Sequence, residues 1–134
     1  MATKKRIKVI MAKPGLDGHD RGVKLLSRIF AEAGMEVVYT GLRQTPEMIV
    51  ETAAQEDADV IGMSSLGGVH NYFFPRVVEL LKQKKMDNVL VVGGGIIPQE
   101  DIPGLKAAGI AAIYGPGTNT GEIVKFVEEG ALKG

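Results

Sequence analysis

A chain of 134 residues has room for one hydrophobic core and little more, so residues 1–134 read as one domain. Hydrophobic residues at 45% and charged residues at 24% are ordinary for a soluble globular protein, and sixteen basic against sixteen acidic side chains leave a net charge of +0, which signals no nucleic-acid partner. Without cysteine there is neither a disulfide framework nor a thiolate metal site; no apolar run approaches the ~20 residues of a membrane span, and the opening Met-Ala-Thr-Lys-Lys-Arg is no secretory signal, so the cytoplasm is the expected compartment.

Arg6 to Ala12 is a short apolar run and predicts a strand. A polar, glycine-containing stretch follows, Lys13 to Asp20. From Arg21 the period changes: Val23, Leu26, Ile29, Phe30 and Ala33 fall on one helical face, and Gly34 supplies the stop. Val37 to Thr40 predicts a second strand. Thr45 then reads as an N-cap with Pro46 at the first helical position, for a helix to about Glu56. Val60 to Met63 is a third strand, and Val69 to Lys85 a helix burying Val77, Val78, Leu80 and Leu81. Asn88 to Val92 is a fourth strand, ending at Gly93-Gly94-Gly95. Ile97 to Ala108 predicts a helix that Pro103 shortens or breaks. Ala111 to Tyr114 is a fifth strand, Gly115 to Gly117 a turn, and Thr118 or Thr120 a cap for a last helix to about Leu132.

Strand and helix alternate throughout, with no internal repeat. Buried apolar strands in that alternation imply a parallel sheet covered on both faces, and right-handed crossovers make it doubly wound. Five strands at this length favour the flavodoxin-like (Rossmann-like) α/β order 2-1-3-4-5.

In such sheets ligands bind outside the carboxyl ends of the strands. The unusual residues collect there: Lys13 to Gly22 after strand one, Ser64-Ser65-Leu66-Gly67-Gly68 after strand three, the triple glycine after strand four, and Gly115-Pro116-Gly117-Thr118 after strand five. With glycine abundant at 18 residues, this clustering suggests close backbone approach to a ligand. His19 is the sharpest item. Taken alone, it reads as a surface or hydrogen-bonded residue. Asp17, two residues earlier, is placed to accept a hydrogen bond from one imidazole nitrogen, the arrangement a metal-bound histidine needs behind it. Lys13 could pair with Asp17, or stand as a solvated charge at a strand end.

Other chemistries fit less well. One histidine with carboxylates is not a zinc site, and His70 reads as a surface or capping residue. Ser64 and Ser65 lack the Gly-x-Ser-x-Gly elbow of a nucleophile. The triple glycine lacks dinucleotide spacing, and there is no P-loop. A flavin site would place hydroxyls directly after strand one, where this chain has Lys, Asp, His and Arg. A receiver domain would want an aspartate at the end of strand three, where Ser64 stands.

Three motifs recur together. Asp17-x-His19-x-x-Gly22 is followed after 41 residues by Ser64-x-Leu66, and after a further 27 by Gly94-Gly95. In identity and spacing the set resembles the cobalamin-binding domain of enzymes that hold the cofactor base-off and His-on, over almost the whole chain. The run Gly93-Gly94-Gly95 carries one more glycine than that pattern. The longer segments Ala12 to Gly22, Ser64-Ser65-Leu66 and Tyr114-Gly115-Pro116-Gly117-Thr118 are similar to the acyl-CoA mutase branch, that of methylmalonyl-CoA mutase and its relatives.

The resemblance implies a role for each loop. His19 would ligate the cobalt of cobalamin in place of the cofactor's own dimethylbenzimidazole, with Asp17 and Lys13 as a hydrogen-bonded relay behind it. Gly18, Asp20, Arg21 and Gly22 would touch the corrin rim. Gly94 and Gly95, with Gly93 and Gly68 nearby, would line a channel for the displaced nucleotide tail; Ser64 would bond its base and Leu66 pack beside it. Tyr114, Gly115, Gly117 and Thr118 would meet the tail's end and its phosphate. In that family a (β/α)₈ barrel binds the acyl-CoA. A barrel needs ~250 residues, so the resemblance implies a stand-alone small subunit of a methylmalonyl-, isobutyryl- or 2-hydroxyisobutyryl-CoA mutase type, carrying adenosylcobalamin and joined to a large subunit, two of each in a heterotetramer. No catalytic residue is expected in this chain, and it would be inactive alone. A corrinoid carrier for a methyltransferase, and a non-catalytic cobalamin sensor or chaperone, are the other classes open to such a domain.

Overall fold

The structure is a computed structural model that describes residues 6–12, 21–40, 44–65, 70–86, 88–95, 97–115 and 118–133. Its elements run β1 (Lys8–Ala12), α1 (Arg21–Glu32), β2 (Glu36–Tyr39), α2 (Pro46–Glu56), β3 (Val60–Ser65), α3 (His70–Gln83), β4 (Leu90–Gly95), a 3₁₀ turn (Gln99–Asp101), α4 (Ile102–Ala107), β5 (Ala112–Tyr114) and α5 (Thr120–Lys133). The five strands form one parallel sheet in the order β2-β1-β3-β4-β5, as the alternation of periods predicts.

Two cores lie on the two faces of the sheet. Ile10, Ala12, Ile61, Met63 and Val91 pack with Ile49, Val50 and Ala53 of α2, Phe74, Val77, Val78 and Leu81 of α3, and Leu105 of α4. Val9, Met11, Val60, Val92 and Ala112 pack with Phe30 of α1 and Ile123 and Val127 of α5. Alternate residues of each strand thus serve opposite cores, so both faces are apolar and the central strands read as unbroken apolar runs.

The helix ends follow local chemistry. Thr45 caps α2 by accepting a hydrogen bond from the Met48 N–H at 3.1 Å. Gly34, at φ 96°, turns the chain out of α1, and Met35 N–H returns to the Phe30 carbonyl at 3.1 Å. At the amino edge, Lys8 Nζ lies 3.2 Å from Glu56 Oε1 and 3.4 Å from Glu36 Oε2, clasping β1, β2 and α2. The hydrogen bond that Lys8 donates to Glu56, helped by Glu36, holds the ammonium pKa above its usual value.

Three elements differ from the sequence expectation. The triple glycine does not follow β4 but forms its last half: Met63, Ser64 and Ser65 pair in register with Gly93, Gly94 and Gly95, so β3 also runs to Ser65. Glycine's low strand preference is overridden because strands on both sides continue the ladder. The segment after β4 is a 3₁₀ turn and a short helix in which Pro103 occupies a first-turn position, where its missing N–H costs nothing. Asn119, rather than Thr118 or Thr120, caps α5: its Oδ1 accepts from Gly121 N–H at 2.8 Å and Glu122 N–H at 3.3 Å. No described helix is long and apolar enough to cross a membrane.

Candidate ligand-binding site

The carboxyl ends of β1, β3, β4 and β5 meet along one edge. Ser64 is the register partner of Gly94, and Gly94 that of Tyr114. Strand alternation places all three on the face that α1 and α5 cover, since Val60, four residues before Ser64, and Val92 and Ala112, two residues before Gly94 and Tyr114, belong to that core. A hydroxyl, a bare backbone and an aromatic ring therefore stand side by side in one row across three strands.

Each glycine of the triplet has its own reason. A Cβ on Gly93 would collide with the Phe74 ring on the α3 face and lie 3.3 Å from Ile113 Cδ1. Among the described residues, a Cβ on Gly94 would find the Tyr114 carbonyl oxygen at 3.1 Å and nothing else within 4 Å. Gly95 sits at φ 109°, a conformation L side chains rarely adopt. Only Gly94 keeps side-chain volume out of the row; Gly93, turned to the opposite face, can contribute backbone alone.

Tyr114 is half-buried. Its ring meets Phe126 of α5 edge-on, with centroids 6.2 Å apart and planes at 75°. Burial, and secondarily the Glu122 carboxylate, push the phenol pKa above the usual 10.0. Beyond it, among the described residues, Gly115 has nothing within 4 Å of a built Cβ. Its carbonyl accepts hydrogen bonds from Thr118 Oγ1 at 2.9 Å and Thr118 N–H at 3.3 Å, which tie the β5–α5 turn to the sheet edge just before Asn119 caps the helix.

Of the residues singled out from the sequence, the structure brings together Ser64, Gly94, Gly95, Tyr114, Gly115 and Thr118, with Gly93 on the reverse face. Arg21 and Gly22 open α1. Lys13, Asp17, Gly18, His19, Asp20, Leu66, Gly68 and Gly117 lie outside the described residues. β1 ends at Ala12, the register partner of Met63, and α1 begins at Arg21. Sequence reasoning passed over Asn119, Phe126 and Gly62. Gly62 alone carried a signal, a glycine inside an apolar strand, which marks close approach of another group.

A doubly wound parallel sheet with glycines at its carboxyl edge defines a domain of the flavodoxin-like class. Solved structures share the fold: a cobalamin-binding protein from Desulfitobacterium hafniense has a TM-score of 0.80 at 23% identity over 94% of this chain and 60% of that one. The NarL receiver domain of Mycobacterium tuberculosis has 0.72 at 16% identity over 96% and 98%. The model of the B12 binding domain matches residues 7–125, and the chain belongs to that family. It is 46% identical to the 2-hydroxyisobutanoyl-CoA mutase small subunit of Aquincola tertiaricarbonis, over 80% of this chain and 79% of that protein. It is 43% identical to the pivalyl-CoA mutase small subunit of Xanthobacter autotrophicus, over 90% and 81%. Against the methylmalonyl-CoA mutase of Cereibacter sphaeroides it is 42% identical over 92% of this chain but spans 17% of that protein.

Proposed function

We propose that residues 1–134 form the cobalamin-binding small subunit of an adenosylcobalamin-dependent acyl-CoA mutase, acting with a separate (β/α)₈ subunit that binds the acyl-CoA. The Ser64–Gly94–Tyr114 row carries the reading. Side-chain volume is missing at Gly94, on the face and at the edge where a nucleotide tail would enter, and a Cβ would narrow that cradle. Family membership and similarity to two mutase small subunits support it.

In this reading the cofactor is held base-off and His-on. His19 would ligate the cobalt, and Asp17 would fix its tautomer by accepting the other ring N–H, with Lys13 completing the relay. Gly18, Asp20, Arg21 and Gly22 would border the corrin. Ser64 would hydrogen-bond the tail's base beside Leu66 and Gly68; Gly94 and Gly95 would line its channel, with Gly93 contributing backbone. Tyr114, Gly115, Gly117 and Thr118 would receive the distal nucleotide near the start of α5, where the helix dipole favours an anion. When bound, adenosylcobalamin supplies a cleavable cobalt–carbon bond and with it the radical chemistry of carbon-skeleton rearrangement. This chain's residues bind and orient; the substrate pocket belongs to the partner, in a cytoplasmic assembly of two large and two small subunits.

The test is electron paramagnetic resonance of cob(II)alamin mixed with the purified chain. Hyperfine splitting from one histidine nitrogen is expected, and its loss in His19→Ala. A spectrum unchanged by the protein, or one the substitution leaves intact, overturns the reading.

A further inference from the structure

The roles above leave Gly62 unexplained. It lies in β3, the middle strand of the sheet, and is buried, a place where glycine forfeits packing and adds flexibility to the unfolded chain. A Cβ built there would lie 2.7 Å from Met11 Sδ and 3.3 Å from Met11 Cε, with Val92 Cγ2 next at 3.8 Å. Met11 is the register partner of Gly62 on β1 and is 2% exposed. Its side chain belongs to the core under α1 and α5, the face that carries Ser64, Gly94 and Tyr114. Gly62 is one pleat inward from Ser64 on that same face. Gly62 therefore extends the line of small residues on β3 inward from Ser64, and the Met11 thioether packs over it.

We infer that Met11 is the floor of the nucleotide-tail channel and selects the base that ends the tail by setting how far it can enter. The inference rests on the proposed function. Methionine suits the position: three rotatable bonds let its end give way, and its sulfur packs well against an aromatic edge. Gly62 supplies the recess in which the thioether lies. Adding a methyl group there would push the sulfur toward the channel, because β3 itself cannot move within the sheet.

Absorbance titrations of the purified chain test this with four probes. They are cobalamin, a cobamide with unsubstituted benzimidazole, one with the larger naphthimidazole, and cobinamide, which lacks the nucleotide tail. The wild-type chain is expected to prefer cobalamin to cobinamide. Met11→Ala should shift the ratio of naphthimidazolyl-cobamide to cobalamin affinity by about tenfold toward the larger base. Met11→Leu preserves volume and fold but has a stiffer, branched end, and should shift the ratio the other way. Gly62→Ala should weaken cobalamin roughly tenfold while sparing cobinamide, and adding Met11→Ala should restore it. Base selectivity unmoved in both Met11 variants overturns the inference, as does a Gly62→Ala loss shared equally by cobinamide. A wild-type chain that binds neither cobalamin nor cobinamide overturns the function reading instead, so the two failures are distinguishable.

Discussion

At the scale of single residues, three consecutive glycines look alike in a sequence and differ in space. Gly93→Ala drives a methyl group into the Phe74 ring, an overpacking expected to cost about 1–3 kcal/mol in thermal or urea denaturation. Among the described residues, Gly94→Ala meets only the Tyr114 carbonyl. It should lower stability less than Gly93→Ala, yet weaken cobalamin binding about tenfold in an absorbance titration. Equal stability losses with binding untouched would remove Gly94 from the site. Tyr114 carries a pH signature of its own. Its folded pKa is raised by burial and by Glu122, so between its unfolded and folded values the native state holds more protons than the unfolded one. Stability from this group is complete below pH 10.0 and is lost as pH rises through the higher folded value. Melting curves across that alkaline range should fall more steeply for the wild type than for Tyr114→Phe.

At the scale of elements, the glycine run shows where local signals and neighbouring strands compete. A triple glycine reads as a turn because glycine is permissive. Here β3 and β5 continue on either side, and the ladder between Ser64 and Gly94 outweighs that preference. The start of α5 is a similar case. Thr118 is used by the turn, donating to Gly115, which leaves the cap to Asn119. Asn119→Ala should therefore cost about 1 kcal/mol in chemical denaturation, and Thr120→Ala close to nothing. Helix starts elsewhere were plain from sequence, since Thr45-Pro46 joins a cap and a first-turn proline in adjacent residues.

At the scale of the whole molecule, fold and function separate. The receiver domain of NarL covers nearly the same architecture, and the chemistry of such domains lies in loops at one sheet edge. Membership of the B12 binding domain family narrows the ligand, while acyl-CoA chemistry needs a partner. The purified chain is expected to bind cobalamin yet turn over no acyl-CoA in a coupled mutase assay. Activity should appear on adding a cognate barrel subunit, with native mass spectrometry reading two copies of each chain. Turnover by the small chain alone would place the substrate site here instead.

The alternation of apolar strands and amphipathic helices was sufficient, before any coordinates, for a parallel doubly wound sheet in the order found, because strand burial and crossover handedness leave few alternatives. The motif spacing from Asp17 to Gly95 likewise pointed to the family whose model matches residues 7–125. What only the tertiary structure decided is which face each residue serves. Ser64, Gly94 and Tyr114 share a row, Gly93 turns to Phe74, and Met11 fills the recess at Gly62. Those facts depend on register between strands distant in the chain. A shift of one residue would exchange the two faces, and no local pattern of glycines records it.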